Sequence, residues 1–451
     1  MNRRSKQHGA ASLIVTVLLL MGMSLIAFFA NKGLIFEQRT SANQYRSTKA
    51  FEMADAGAEW AIARLNDPLT LAAADSCAPA TGAGLVSFRD RYIRPTAADA
   101  LHTTGWLNPL DTAYPGCQID PTNGSSTCAC PSTGAAVLAS TDWPRFRVQF
   151  RPLPDLLSVE IISRGCTNGD PCDPSQAPAA SDGTAIVRVI LKIRPTFPTI
   201  PGAGLISGST TVVSGSLNVI NTDTASNGIT INTGSTVQLT GGTLVQTLPG
   251  TSPTASILDN DPSLLQLTNA DANGELFFSS YFGEGFDSYK SNLQTKVISA
   301  GASDPAGGTC NSEVNCGAAV SYWIDQGYTQ FWVEPSVTFN NSNMPSTTSG
   351  TLGTAANPIA LATPNQMTFT GGINAFGTFY AATTSAIDDL TLAGGGSANI
   401  VGSLVSRGDF SRTGNGNISI IYDANLFGAK GAPSGLLVPV PGSWRDKASA
   451  Y

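Results

Sequence analysis

The stretch HGAASLIVTVLLLMGMSLIAFFANK, residues 8–32, decides how the rest of the chain is organised. The residues from Ala10 to Ala30 carry no charge, and as a helix they would be about 32 Å long, close to the roughly 30 Å hydrocarbon core of a bilayer. Three basic side chains lie within residues 1–9, so the positive-inside rule places the N-terminus in the cytoplasm. We therefore expect a membrane-spanning helix over 10–30.

The predicted helix continues beyond the membrane, as an amphipathic helix over residues 31–66. This segment contains no proline, and its apolar side chains recur every three to four residues. A secretory signal peptide would have a shorter apolar region followed by turn-forming sequence. A helix of residues 10–66 would be about 85 Å long, so its apolar stripe needs a cover other than lipid.

A short basic leader ending in Gly9, the uncharged helix and the later motif AFEMADAGAEWAI (residues 50–62) together resemble a type IV pilin precursor, and the PilX family of minor pilins in particular. The resemblance covers residues 5–66. It implies that prepilin peptidase cuts after Gly9, that Ala10 becomes the methylated N-terminus, and that the helix packs in a filament. The residues expected to pack there are Ile14, Tyr45, Phe51, Met53 and Trp60.

The chain departs from the usual pilin pattern at Ile14, the fifth residue counted from Ala10. Most pilins carry Glu there, where it neutralises the amino group of a neighbouring subunit. An isolated charge in the apolar filament core costs several kcal/mol, so the missing carboxylate should change which neighbour the subunit accepts. We interpret Ile14 as a sign of a special position, such as the filament tip.

The exported part of the chain has a β-rich composition, since only 13% of residues are charged and Gly, Ser, Thr and Asn are abundant. Alternating strands at 145–150, 156–165 and 184–193 predict an antiparallel sheet within a globular domain, residues 67–194. A long helix packed on such a sheet is the pilin architecture, so the predicted fold class is α+β.

The proline-rich segment 195–204 is the predicted linker to a second, β-rich domain. In residues 205–430, short β-branched runs separated by Gly and Asn turns return at offsets near 20 residues, which favours a β-solenoid. A β-sandwich is the alternative. A helical insertion is expected at about 257–330, and a C-terminal tail at 431–451 includes PGSWRD, which resembles a segment of PilX-like proteins.

The even number of cysteines indicates disulfides formed in an oxidising compartment. Cys166 with Cys172, and Cys310 with Cys316, are close enough in sequence to close short loops, whereas the sequence leaves the pairing of the others open. The disulfide candidates are Cys77, Cys117, Cys128, Cys130, Cys166, Cys172, Cys310 and Cys316.

We expect no enzymatic activity and no cofactor, because the exported part holds one histidine and no recognisable catalytic motif. A weak match to a calcium loop places Asn269, Asp271 and Asn273 at ligand positions, but the loop lacks its final Glu. RGD at 407–409 is best explained as a turn. The net charge of −7 and the lack of a basic patch argue against nucleic acid.

The resemblance implies a minor pilin that takes part in type IV pilus assembly, priming and capping the filament and presenting a tip surface. Its expected partners are other minor pilins, the major pilin, prepilin peptidase, the inner membrane with the assembly platform, and a large tip adhesin. The body would face the periplasm and then the cell surface. Two alternatives remain: a pseudopilin of type II secretion, and a membrane-anchored β-solenoid adhesin.

Overall fold

The long N-terminal helix is followed by a large β-rich part, so the computed structural model confirms the predicted α+β class. The described residues are 9–446, apart from 73–74, 81–84, 94–109, 139, 141, 154–157, 169–171, 176–182, 196–198, 271–272, 293, 303–308, 347, 349, 384–387 and 428–434.

The first helix runs from residue 9 to residue 65, one residue earlier at each end than the predicted 10–66. It ends just before Pro68, which disfavours helical backbone in the residue that precedes it. The helices of the described chain are α1 (Gly9–Leu65), α2 (Phe88–Tyr92), α3 (Pro262–Asn269), α4 (Glu275–Phe282), α5 (Phe286–Ser291) and α6 (Glu313–Asp325).

Most of the remaining described chain is extended. The strands are β1 (Ala113–Tyr114), β2 (Gly116–Ile119), β3 (Ser126–Ala129), β4 (Gly134–Ala135), β5 (Arg145–Pro152), β6 (Ser158–Cys166), β7 (Thr184–Pro195), β8 (Leu205–Ser207), β9 (Thr211–Val213), β10 (Leu217–Ile220), β11 (Ile231–Thr233), β12 (Val237–Leu239), β13 (Thr243–Gln246), β14 (Ile257–Leu258), β15 (Thr295–Ile298), β16 (Gln330–Val333), β17 (Val337–Phe339), β18 (Thr351–Leu352), β19 (Ile359–Thr363), β20 (Met367–Thr370), β21 (Asn374–Ala381), β22 (Leu390–Ala393), β23 (Ala398–Ser406), β24 (Phe410–Arg412), β25 (Ile418–Ile421) and β26 (Gly435–Pro439).

The second half of α1 packs on an antiparallel sheet with strand order β26-β7-β6-β5-β2-β3. Alternate side chains of β5 point at the helix, and Val148 and Phe150 are fully buried there. The sheet covers the helix from about Ala50 onward, which accounts for the amphipathic pattern over 50–65. We call this helix and sheet the helix–sheet domain.

Two glycines let the helix approach the sheet closely. A Cβ atom at Gly165 would overlap the carbonyl oxygen of Ala50 and the amide nitrogen of Ala54, and would lie 2.9 Å from the carbonyl carbon of Met53. A Cβ atom at Gly57 would lie 2.7 Å from the Phe146 ring. The small residues of the AFEMADAGAEWAI motif therefore serve this contact between backbone and sheet.

The β-rich part is inserted into the helix–sheet domain and does not simply follow it. Strand β26 pairs antiparallel with β7, and its first residue, Gly435, is the register partner of Pro195. The two ends of the intervening segment 196–434 thus leave the same edge of the sheet. The segment expected to be a tail over 431–451 instead contributes an edge strand, because its apolar run Leu436–Val440 continues the sheet.

The strands of the inserted part pair in parallel and form two sheets. The six-stranded sheet has the order β12-β9-β24-β22-β20-β17, and the remaining strands form a twelve-stranded sheet. Inward side chains repeat from one coil to the next: Leu217 and Val219 are register partners of Ile418 and Ile420, and all four are buried. We call this part the β-rich domain. Its parallel ladders differ from the antiparallel pairing typical of a β-sandwich.

The coils are not stacked in chain order. Strands β8, β9 and β10, the first coil along the chain, pair with β23, β24 and β25 from its end. The coil of β11, β12 and β13 then lies beyond the first coil. Entry and exit are also in contact, since the Tyr422 hydroxyl donates a 2.6 Å hydrogen bond to the Pro201 carbonyl. The first coil therefore lies between the coil of β11, β12 and β13 on one side and the later coils, residues 330–421, on the other.

Helices α3, α4 and α5 cover the outer face of the larger sheet. The aromatic side chains of α4, Phe277, Phe278, Tyr281 and Phe282, are buried there against strand residues such as Tyr380. Helix α4 ends at Gly283, whose φ of 70° lies in the left-handed region. The expected helical insertion at about 257–330 also contains the strands β14 and β15.

All eight cysteines form disulfides within the chain. The two short-range pairs, Cys166–Cys172 and Cys310–Cys316, are those that the spacing suggested. The other two are Cys77–Cys130 and Cys117–Cys128, and the second joins register partners of β2 and β3. The structure thus supplies the pairing that the sequence left open.

Candidate assembly site

The first half of α1 extends away from the rest of the chain. Every described residue from 12 to 48 is exposed except Gly22, which is partly buried. We call residues 12–48 the exposed helix segment; at 1.5 Å per residue it is about 55 Å long. Its large apolar side chains are between 48% and 72% exposed, as for Leu25 and Phe36.

The exposed helix segment begins with a stretch that can cross a membrane. The window Ser12–Phe29 is apolar enough to do so by length and composition. Two of its hydroxyl groups donate within the helix: Thr16 to the Ser12 carbonyl at 3.0 Å and Ser24 to the Leu20 carbonyl at 2.7 Å. A bilayer offers no water to unpaired hydroxyls, so these bonds lower the cost of immersing the helix in lipid.

The five residues expected to pack in a filament fall into two groups. Ile14 and Tyr45 are 58% and 70% exposed, so their apolar surfaces are available. Met53 is 2% exposed in the core of the helix–sheet domain, and Trp60 packs against Phe88 there. Phe51 is partly buried. The apolar surfaces of Met53 and Trp60 are therefore used within the chain, because the sheet covers their side of the helix.

The expected processing site lies where the described chain begins. Gly9 is the first residue of α1 and Ala10 the second. The backbone from Ala10 onward is thus continuous with the exposed helix segment. The basic leader 1–8 lies outside the described residues.

A C-terminal clasp, residues 435–446, holds the end of α1 and was not predicted. The side-chain amide of Asn66 accepts a 2.8 Å hydrogen bond from the Leu437 N–H and donates a 2.9 Å hydrogen bond to the Leu437 carbonyl. The Trp444 indole packs edge-on against Phe51, with ring centroids 6.1 Å apart, and donates to Asp55 at 3.3 Å. The run LLVPV (residues 436–440) was the sequence signal for this strand.

The weak calcium candidate gains no support from geometry. Asn269 is the last residue of α3, and the Asn273 side chain accepts a 3.4 Å hydrogen bond from the Glu275 N–H. Asp271 lies outside the described residues. Among the residues that the structure describes, no group of three or more His, Cys, Asp or Glu side chains could hold a metal ion.

The RGD segment, residues 407–409, lies in a turn between stacked coils. Arg407 donates to the Thr383 carbonyl at 3.0 Å, and Asp409 accepts from the Thr210 N–H at 2.8 Å. The neighbouring Asp389 is 1% exposed and accepts a hydrogen bond from the Gly408 N–H. Burial raises the pKa of Asp389 to about 7. These side chains connect coils, which supports the interpretation of RGD as a turn.

A helix with an exposed apolar half and a half packed on an antiparallel sheet defines the class of type IV pilin-like proteins. Comparison with known families agrees: residues 8–59 match the family model PilX_N, described as PilX N-terminal. The matched segment covers the membrane window, the rest of the exposed helix segment and the start of the packed half. The chain is a type IV pilin-like protein.

The other comparisons add little. No curated protein matches the chain. The crystal structure of the competence-associated pilin ComZ from Thermus thermophilus is 12% identical to it, and the alignment covers 89% of this chain and 97% of that chain. Its TM-score of 0.19 is too low for any argument about the fold.

Proposed function

We propose that this chain is a minor pilin of the PilX type, which takes part in type IV pilus assembly by helping to prime and cap the filament. Its role is structural, without catalysis. Prepilin peptidase would cut after Gly9, and the segment from Ala10 onward would first hold the subunit in the inner membrane. The subunit would then pack with other minor pilins and the major pilin through the exposed helix segment.

The exposure of α1 beyond its membrane window carries this proposal. Ser12–Phe29 suffices to span a bilayer, yet the helix continues with its described side chains exposed up to residue 48. Leu34, Phe36 and Tyr45 are 54%, 72% and 70% exposed in that continuation. A simple anchor has no use for large exposed apolar side chains on several sides of the helix outside the bilayer, whereas a helix bundle in a filament would bury them.

Matched substitutions test the packing role. Tyr45→Lys should reduce the number of surface pili when it replaces the wild-type chain in its own strain, because a lysine would be buried against a neighbouring helix. Gln44→Lys adds the same charge at an exposed position on a different side of the helix. Equal piliation in the two strains, with equal amounts of protein in the membrane, would contradict the proposal.

Processing can be tested separately. Mass spectrometry of the protein from membranes should find an N-terminus at Ala10 bearing a methyl group, and Gly9→Leu should leave the leader attached. A mature N-terminus at Met1, or at a conventional signal-peptidase site, would exclude a prepilin. This experiment does not depend on where the subunit lies in the filament.

The proposal that the subunit lies at the filament tip rests on Ile14. The side chain is exposed in the isolated chain and apolar, so it offers no carboxylate to a neighbour's amino group. A subunit that does not have to pair with the amino group of a neighbouring subunit is suited to the end of a filament. Ile14→Glu should shift labelled subunits from the tip into the shaft in electron micrographs; an unchanged distribution would count against this assignment.

The β-rich domain is the part proposed to be displayed outward as a β-solenoid, with a large adhesin as a partner at the tip. Its parallel ladders and repeating inward side chains support the solenoid interpretation. Because both ends of the insertion leave the β7–β26 edge, the domain adds surface without interrupting the helix. Pull-down of the adhesin by the wild type, but not by a chain that lacks 196–434, would test this display.

A further inference from the structure

A cleft of about 570 Å³ lies where the chain enters and leaves the β-rich domain. Its walls come from the entry residues 200–202, the exit residues 421–424 and the turn 222–226 that follows β10. Ligand sites in proteins usually have volumes of about 300–1,000 Å³, so this cleft can take a side chain together with part of the backbone that carries it. We call it the entry cleft.

Part of the wall of the entry cleft is aliphatic. Val401 on β23 and Ile421 on β25 are register partners, and both line the cleft. They alternate along their strands with the fully buried Ile400 and Ile420, so their side chains point away from the domain interior. Ile200 adds a third half-buried aliphatic side chain. The cleft therefore offers apolar surface on which a chain of methylene groups can pack.

Two carboxylates give the entry cleft its charge. Asp223 and Asp423 line it from the adjacent coils of β10 and β25. Burial raises the pKa of Tyr422, and the negative charges of Asp223 and Asp423 raise it further, so both carboxylates lie near the Tyr422 hydroxyl. Among the lining residues that the structure describes, none is Lys, Arg or His. The two negative charges thus face the same small volume.

Hydrogen bonds hold this wall in place. The Asp223 carboxylate accepts a 2.9 Å hydrogen bond from the Ser226 N–H, and the Asp223 N–H donates to the side chain of the fully buried Asn221 at 2.9 Å. The Tyr422 hydroxyl donates to the Pro201 carbonyl at 2.6 Å, so its proton is not directed at either carboxylate. The position of Asp223 is therefore fixed before any ligand binds.

The charge of the whole β-rich domain also favours a cationic ligand. Residues 196–434 contain 15 Asp and Glu but five Lys and Arg, a net charge of −10. Two of the five, Arg407 and Arg412, donate to backbone carbonyls within the domain. A field of this sign attracts positive groups and speeds their association. A metal ion fits less well, since Ca²⁺ takes six to eight oxygen ligands and the described chain brings no third acidic, His or Cys side chain to the cleft.

We propose that the entry cleft binds an arginine side chain presented by a partner protein. The methylene stem would pack on Val401 and Ile421, and the guanidinium would lie between Asp223 and Asp423. Arginine suits two carboxylates better than lysine does, because its planar head presents donors along more than one edge. The inference rests on the proposed display of the β-rich domain to a partner, and it names the chemistry of one contact with that partner.

Binding of a short peptide to the full chain in detergent tests the contact. The probe is a five-residue peptide with one central arginine, and its control carries citrulline, the neutral isostere of arginine. Saturation-transfer NMR with the peptide in excess should show saturable binding of the arginine peptide and at least tenfold weaker binding of the citrulline peptide. Equal binding of the two peptides, or no saturable binding of either, would overturn the proposal. Free N-acetyl-arginine amide that binds as tightly as the peptide would overturn the assignment to a partner protein.

Substitutions in the cleft locate the binding. Asp223→Asn and Asp423→Asn should each weaken binding of the arginine peptide about tenfold. The matched control is Asp259→Asn, which removes the same charge at an exposed position outside the cleft lining. Equal weakening by all three variants would mean that only the overall charge attracts the peptide, and the proposal would fail.

A second pair of variants leaves both carboxylates in place. Thr222 is exposed at the rim of the cleft, so Thr222→Lys would supply a cation from the chain itself and should block the peptide. Thr222→Gln, which is of similar length but neutral, should leave binding within about twofold of the wild type. Undiminished binding to Thr222→Lys would contradict the proposal. Processing at Ala10 and the pilus counts with Tyr45→Lys do not depend on these results, so the proposed function is tested separately.

Discussion

The contact between Gly165 and α1 makes Gly165→Ala the most informative single substitution in the helix–sheet domain. The new Cβ atom would overlap the Ala50 oxygen and the Ala54 nitrogen and lie 2.9 Å from the Met53 carbonyl carbon. All three are backbone atoms, so no side-chain rotation relieves the overlap. The helix must move away from β6 by about 1 Å, since ordinary carbon contacts are about 3.5 Å or longer.

The expected cost follows from that movement. A gap of about 1 Å forfeits up to roughly half of the dispersion energy of the affected contacts, and overpacking by one carbon typically costs 1–3 kcal/mol. Because Ala54, Ala58 and Ala61 would lose contact together, we expect about 3 kcal/mol. The gain from replacing glycine in a strand, about 0.5–1 kcal/mol, offsets only part of this.

Hydrogen exchange of the full chain in detergent, followed by mass spectrometry, measures the effect in one domain. The net cost is about 2–2.5 kcal/mol, so peptides from β6 should exchange about 30- to 60-fold faster in Gly165→Ala if exchange follows opening of this domain, since 1.4 kcal/mol corresponds to a factor of ten. The control is Gly395→Ala, where a Cβ atom would meet nothing within 4 Å. Unchanged exchange of β6 in Gly165→Ala would refute the close-packing argument.

Three further predictions concern the β-rich domain and its insertion. The raised pKa of Asp389, about 7 against 3.8, means that its stabilising contribution is present below about pH 4 and lost as the pH rises through 7; Asp389→Asn should therefore raise the melting temperature at pH 8 but not at pH 4. Arg412 is fully buried and donates to the carbonyls of Ser216, Leu392 and Gly416, so Arg412→Met should remove all three of these hydrogen bonds, although Leu392 keeps the one from the Thr413 N–H, and cost about 3 kcal/mol by urea denaturation. Replacing 196–434 with a turn of about four residues should leave the exchange protection of β6 unchanged, because Pro195 and Gly435 are already register partners; rapid exchange there would show that the insertion is needed for folding.

The parts of the fold that could be predicted are those encoded locally. An uncharged run followed by a 3.6-residue apolar period defines α1 without reference to any partner. Alternation along 145–193 gave β5, β6 and β7, and cysteines six residues apart gave two disulfides. Each of these signals lies within one segment of the sequence.

The rest depends on pairings between distant segments. The apolar run before PGSWRD indicates a strand, but nothing local says that it pairs with β7 across about 240 residues. The coil order has the same origin, since the short β-branched runs are alike and several registers would bury the same side chains. For the candidate site, the sequence indicated the apolar stripe on α1. It did not indicate that Met53 faces the sheet while Tyr45 is exposed.

The insertion also links completion of the helix–sheet domain to folding of the β-rich domain. Strand β26 and the clasp on Asn66 lie beyond residue 434, so they add to the contacts of α1 with β5, β6 and β7 only after the inserted chain has been made. For a flexible loop of about 240 residues, bringing β26 to β7 would cost about 5 kcal/mol in closure entropy. Folding of the β-rich domain removes most of that cost, because it brings Pro201 and Tyr422 into hydrogen-bond contact. A β-rich domain that fails to fold should therefore leave β26 unpaired and the Trp444 contact with Phe51 unmade, so a defect far from the helix would weaken how α1 is held.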